Sequence, residues 1–186
     1  MLVLDADETL AAADGGALFW EHIEGRKDAL DELFTRAGYS HASFREATRL
    51  HEKAAGQEDY DRFCQSAADE ITMHPEMVNL IKHALARKDQ IGIVVVTCGL
   101  RRIWEKVLQK ADPDVPVIGG MRVADKYVIT ADVKRHLVHR LQKHHRKTVY
   151  AIGDSKLDLD MLKQADYAVA TVCEVRIRSS SMDKVL

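Results

Sequence analysis

Ile91-Gly92-Ile93-Val94-Val95-Val96 runs without a charged side chain into Thr97-Cys98-Gly99. A segment this apolar, rich in β-branched residues and closed by a polar and glycine cluster, reads as a strand buried on both faces. Parallel sheets covered by helices are built from such strands. Three further runs share the character: Leu2-Val3-Leu4 ending at Asp5-Ala6-Asp7, Thr148-Val149-Tyr150-Ala151-Ile152 ending at Gly153-Asp154-Ser155, and Tyr167-Ala168-Val169-Ala170. Pro116-Val117-Ile118 is a shorter strand candidate. Met121 to Ile129, with a turn around Ala124-Asp125-Lys126, reads as a β-hairpin.

Helical periodicity fills the gaps. Pro75 to Arg87 places Met77, Leu80, Ile81, Ala84 and Leu85 on one face, with Pro75 suited to a first turn. Arg101 to Ala111 continues from the second run. Asp132 to His144 carries Val133, Leu137, Val138 and Leu141 on one side, and Asp158 to Gln164 leads into the last strand. Strands alternating with helices predict an α/β fold with right-handed crossovers. The stretch from Ala12 to His74 has no strand-like run. It is helix-prone, interrupted near Gly25, Gly38 and Gly56, and reads as a helical insertion after the first strand. The end, Arg176 to Leu186, reads as a loop and the first turn of a helix, which points to a C-terminal domain of a longer natural chain.

The 186 residues suffice for one compact domain and a small appendage. Lys plus Arg is 27 against 29 Asp plus Glu, a formal charge of −2 that gives no reason to expect nucleic acid or an anionic membrane as partner. Cys64, Cys98 and Cys173 are too few and too scattered for a disulfide framework or a zinc knuckle. No signal-peptide or membrane-length apolar segment is legible. The expected setting is cytosolic and reducing.

In an open parallel sheet, ligands bind outside the carboxyl ends of the strands. The sequence therefore brings Asp5, Asp7, Thr97 and Asp154 toward one crevice. Neighbouring carboxylates repel unless a hard cation with oxygen ligands neutralises them, and magnesium is the usual choice beside phosphate. A neutralised carboxylate can attack phosphorus, and a second can move the proton.

Four motifs in order then make the chain resemble the haloacid-dehalogenase-like superfamily, and within it the phosphoserine-phosphatase-type phosphatases. They are Asp5-Ala6-Asp7-Glu8-Thr9; Thr97 followed by Cys98-Gly99; a lysine, best matched by Lys134; and Gly153-Asp154-Ser155-Lys156-Leu157-Asp158 followed by Leu159-Asp160-Met161-Leu162. The resemblance implies a three-layer Rossmann-like parallel sheet with a small helical cap inserted after the first strand. Residues 1–11 and 76–186 would form the core, and 12–75 the cap. It implies a phosphatase acting on a small phosphorylated metabolite, with Mg2+ as cofactor and Asp5 as the nucleophile that becomes an aspartyl-phosphate. Asp7 would serve as general acid and base, its backbone carbonyl also binding the metal. Thr97 and the amide of Cys98 would hold phosphate oxygens, with Ala6 and Thr9 in the phosphate-binding loop that Thr9 braces. Lys134 would neutralise the transferring group, Asp154 would ligate magnesium, and Asp158 would join the metal site by orienting a bound water or the loop.

Plainer readings stand beside these. Asp154 and Asp158 suit helix N-caps, which is compatible with metal binding. Lys126, Arg135 and Lys147 compete with Lys134. His136, His139, His144 and His145 read as a solvated face with Arg135, Arg140 and Lys143. Cys98 reads as a backbone contributor rather than a nucleophile. Phosphoserine phosphatases hold the amino-acid part of the substrate with a cap glutamate and a cap arginine; those positions fall near Asp14 and near Arg49 or His51, neither a clean match, so the family's substrate does not transfer. A phosphotransferase of the same superfamily and a non-catalytic binding module remain the alternatives.

Overall fold

The computed structural model describes residues 1–23, 27–111, 115–120 and 122–171. Within these residues five strands form one sheet: β1 (Leu2–Leu4), β2 (Ile93–Val96), β3 (Val117–Ile118), β4 (Tyr150–Gly153) and β5 (Tyr167–Ala170). All neighbours pair in parallel, in the order β3-β2-β1-β4-β5. Among the described residues seven α-helices accompany them: α1 (Gly15–Glu21), α2 (Lys27–Ala37), α3 (His41–Glu70), α4 (Pro75–Leu85), α5 (Arg101–Ala111), α6 (Ala131–Lys143) and α7 (Leu159–Gln164). Chain order reverses at β1, so its carboxyl end faces the switch point where such sheets take ligands.

Alternation along each strand builds the three layers. Leu4 of β1 and Ile93 and Val95 of β2 join one core cluster with Ile81 and Ala84 of α4 and Ile103, Trp104, Val107 and Leu108 of α5. Val3, Val94 and Val96 point the other way, into a second cluster with Val138 of α6 and Met161 and Leu162 of α7. Each fully buried aliphatic side chain contributes roughly 2 kcal/mol over its exposed state, which is why unbroken apolar runs settle at the centre of the sheet. The edge differs. In β5, Tyr167 is 55% and Val169 49% exposed, so that run is not buried on both faces. Tyr167 instead stacks on Tyr150, ring centroids 4.5 Å apart.

The expected hairpin between 121 and 129 is absent among its described residues, 122 to 129. Asp125 accepts from the backbone N–H of Arg122 at 3.0 Å, which tightens Val123–Asp125 into a 3₁₀ turn. Lys126, in the left-handed region at φ 61°, closes it. Glu52 on α3 accepts from both Arg122 Nε and Val123 N, so the segment is spent on a contact with the helices rather than on strand pairing. Cys173 and the stretch from Arg176 to Leu186 lie outside the described residues.

Helices α1 to α3 lie between β1 and α4. The two ends of this excursion meet: Ala11 bridges Met73, and His74 N donates to Leu10 O at 2.8 Å. Asp14 caps α1 and Ser40 caps α3 through a capping box with Ser43. Gly38, at φ 61°, ends α2, and Gly56, at φ 72°, kinks α3. Past the kink α3 is pinned to α5: Asp61 accepts from Arg102 at 2.7 Å and Lys106 at 3.2 Å, and Lys110 reaches Ala68 O at 2.9 Å. Phe19, Trp20, Tyr60 and Cys64 of these helices belong to the same core cluster as Leu4 and Trp104.

Candidate active site

The loop after β1 is short and tightly held. Leu10 N donates to Ala6 O at 2.8 Å and Glu8 N to Ala13 O at 3.2 Å. These bonds hold Glu8 in the left-handed region, φ 57°, a conformation of the order of 1 kcal/mol above the ordinary ones. The loop thereby turns Asp5 toward β4 and Asp7 toward β2.

Asp5 joins Asp154 and Asp158 from beyond the end of β4. One carboxylate oxygen from each lies within 4.8 Å of the others. Lys134, on the first turn of α6, enters from below with its ammonium bonded to Asp5 and, at 2.7 Å, to Asp158. Its side chain is essentially inaccessible. Burial works to strip its proton, but the carboxylates of Asp158 and Asp5 overcome this and hold Lys134 charged, its pKa well above the ordinary lysine value. Lys134, rather than Lys126, Arg135 or Lys147, thus reaches the carboxylates. Asp158 is fixed further by Ser155, which donates its N–H at 3.1 Å and its hydroxyl at 2.8 Å. The Thr9 hydroxyl lies between Asp154 Oδ1, at 3.0 Å, and Asp5 Oδ2, at 3.4 Å. Burial, then the charge of Asp158, raises the Asp154 carboxyl to about 6.

Three carboxylates against one ammonium leave a formal charge of −2, with oxygen donors only. That donor set fits a hard divalent cation such as magnesium. Asp5 and Asp154 would hold it, with Asp158 anchored behind them by Lys134 and Ser155.

Asp7 stands apart from this cluster. Its Oδ1 accepts from Gly15 N at 2.8 Å and Trp104 Nε1 at 3.0 Å, and its Oδ2 from the Thr97 hydroxyl at 2.9 Å. Burial, then the charge of Asp14, pushes its carboxyl up to about 6, against the pull of these three donors. A carboxyl poised there exchanges protons near neutral pH. Of its partners, Thr97 was legible as the end of an apolar run. Trp104 was not: it is a core residue of α5 whose one polar atom happens to reach the loop, and only its polar tip on an apolar helix face could have signalled it.

Above both groups lies a cavity of about 330 Å³. Asp5, Asp7, Cys98, Lys134 and Asp154 line it; Ala6, Thr9, Thr97 and Asp158 do not, and are buried behind the wall. Burial raises the Cys98 thiol to about 12, so the thiolate that a nucleophile needs is not formed. Of the two positions weighed for the cap cation, His51 lines the cavity, whereas Arg49 pairs with Glu46 on an exposed face. The far wall, absent from the sequence reading, comes from Leu30, Phe34, Tyr39 and Phe44 of the helical insertion and its loop.

Comparison with known proteins places the chain in a family. The haloacid dehalogenase-like hydrolase family model covers residues 2–163. The chain belongs to that family. A substrate-bound phosphoserine phosphatase has a similar fold, with TM-score 0.67 and 19% identity over 91% of this chain and 84% of that one. A haloacid dehalogenase family hydrolase from Salmonella enterica serovar Typhi aligns at TM-score 0.64 and 19% identity over 88% of this chain, which spans 59% of that protein. CbbY from Rhodobacter sphaeroides, in complex with phosphate, aligns at TM-score 0.52 and 17% identity over 96% of this chain and 90% of that one. No curated protein sequence matches the chain. In this haloacid dehalogenase-like hydrolase Asp5 and Asp7 follow β1, Thr97 follows β2, Lys134 lies on α6, and Asp154 and Asp158 follow β4. Among the described residues no helix is long and apolar enough to cross a membrane.

Proposed function

We propose that this hydrolase is a magnesium-dependent phosphatase of a small phosphomonoester. The observation that carries the reading is the cluster of Asp5, Asp154 and Asp158 around the Lys134 ammonium at the floor of the cavity, with Asp7 held beside it on a separate set of hydrogen bonds. An Asp5 oxygen attacks phosphorus, and the bond from phosphorus to the ester oxygen breaks. Asp7 gives its proton to the departing alkoxide. Water then attacks the aspartyl-phosphate as Asp7 takes up a proton; the bond from phosphorus to Asp5 breaks and inorganic phosphate leaves. Magnesium, when bound, supplies positive charge against the phosphoryl oxygens. Lys134 supplies further charge, and helices α1 to α3 act as a cap that excludes bulk water from the first transfer. A reducing, cytosolic setting goes with Cys64 and Cys98 as free thiols.

The test is phosphate release from phenyl phosphate and a set of metabolite phosphomonoesters, with magnesium, with a chelator, and with Asp5→Asn. Turnover that needs magnesium and disappears in Asp5→Asn is the expected result. A phosphorylated alcohol in place of free phosphate, when acceptor alcohols are added, would make the enzyme a phosphotransferase. A folded protein that binds magnesium but turns over nothing would overturn the catalytic reading in favour of a binding module.

A further inference from the structure

The cavity is polar at its floor and apolar at its roof. Phe34 and Tyr39 stack with ring centroids 4.8 Å apart, and Phe44 closes the trio at 5.3 Å from Phe34. Leu30, Leu100 and Leu157 complete the wall around them. His51 adds a ring but no free polar atom. Its Nε2 accepts from Trp20 Nε1 at 2.9 Å, so its other nitrogen carries the proton and donates to Ala47 O at 2.6 Å. Burial lowers its pKa to about 4, which keeps it uncharged.

The charges in the wall are unbalanced. Asp5, Asp7, Glu8, Asp14 and Asp154 face the cavity, against Lys134 and Lys156. Lys134 is committed to Asp5 and Asp158, and Lys156 lies 4.4 Å from the centre of the Tyr39 ring. No arginine lines the cavity among the described residues. A leaving group with a carboxylate or a second phosphate would exchange water for a wall in which five carboxylates face two ammonium groups and the rest is largely apolar, which is costly for an anion. An apolar leaving group would bury its surface against the aromatic trio and the leucines.

From this, and resting on the phosphatase reading, we infer that the substrate is the monophosphate of an uncharged, apolar alcohol, alkyl or aryl, whose hydrocarbon part is held by Leu30, Phe34, Tyr39 and Phe44. Phosphorylated amino acids, nucleotides and bisphosphates are disfavoured at the same site.

The experiment is kcat/KM with magnesium for methyl, ethyl, propyl, butyl and hexyl phosphate and phenyl phosphate, beside phosphoserine and glycerol phosphate. The expected result is a rise of roughly fourfold per added methylene over the first carbons, with phosphoserine and glycerol phosphate at least tenfold below propyl phosphate. Phe34→Ala, on a half-buried face of α2, is expected to lower the ratio of hexyl to methyl phosphate at least tenfold, and Leu30→Ala to lower it in the same direction should Phe34→Ala not fold. Turnover with no dependence on chain length, or with phosphoserine or glycerol phosphate preferred, overturns this inference and leaves the phosphatase reading intact. No turnover of any ester overturns both.

Discussion

Trp104 donates its indole N–H to Asp7 Oδ1 at 3.0 Å, joining a core residue of α5 to a carboxylate 97 positions earlier in the chain. With Gly15 N and the Thr97 hydroxyl it fixes the orientation of the Asp7 carboxyl, the proton donor of the proposed phosphatase reaction. Trp104→Phe keeps most of the ring and removes only this donor. Hydrogen bonds to charged groups contribute about 1.5–3 kcal/mol, so kcat is expected to fall roughly tenfold or more with KM little changed. Gly99→Ala tests the same placement from the other side, because an added Cβ would press into Asp7 Oδ2. It too should lower kcat rather than raise KM. Steady-state kinetics on a single ester, with a thermal melt to verify folding, checks both variants.

Lys134 is buried between Asp5 and Asp158, and removing it strands two carboxylates away from water. Breaking a buried ion pair on one side costs about 3–5 kcal/mol. Lys134→Met is therefore expected to lose activity and to melt many degrees below the parent. The double variant Lys134→Met with Asp5→Asn should be less destabilised than the sum of the single ones, because it leaves fewer buried charges unpaired. Chemical denaturation of the four proteins closes the cycle.

Divalent binding is readable without catalysis. A cation held at the carboxylate cluster stabilises the folded chain by about 2.7 kcal/mol at a hundred times its dissociation constant. Magnesium is expected to raise Tm in the parent. In Asp154→Asn, which loses one carboxylate of the cluster, the increment should shrink or vanish. Calorimetry of magnesium binding to the two proteins gives the same comparison independently of folding.

His51 sets a pH dependence of stability. Its ordinary value of 6.5 falls to about 4 in the fold because burial disfavours its charged form. Between these values the unfolded chain binds a proton that the native chain does not, so stability falls as pH drops from about 6.5 toward 4. The loss from this group over that window is about 3 kcal/mol. His51→Gln, which cannot titrate there, is expected to flatten the slope of unfolding free energy against pH across the window even if its stability at pH 7 is lower. Urea denaturation at pH 4.5, 5.5, 6.5 and 7.5 measures both slopes.

The strands, four of the helices and the polar loops at the strand ends were legible along the chain, because apolar runs and 3.6-residue periodicity record which faces are buried. Leu2–Leu4 and Arg101–Ala111 form as their patterns predict, and Tyr167–Ala170 forms a strand, though at an exposed edge rather than buried on both faces. The hairpin was misread because a pattern of apolar residues around a turn cannot register that Glu52, some seventy residues earlier, would take the backbone N–H of Val123. The candidate carboxylates could also be named from their motifs. What only the tertiary structure decided is how they divide: Asp5 with Asp154, Asp158 and Lys134, and Asp7 with Thr97, Gly15 and Trp104. The same holds for the apolar roof, which α2 and the start of α3 bring over the sheet from an insertion whose sequence carries no motif. Periodicity is written by each residue's own burial and can be read locally. A contact between residues ninety or more positions apart depends on how whole layers pack, and no short stretch of chain contains that information.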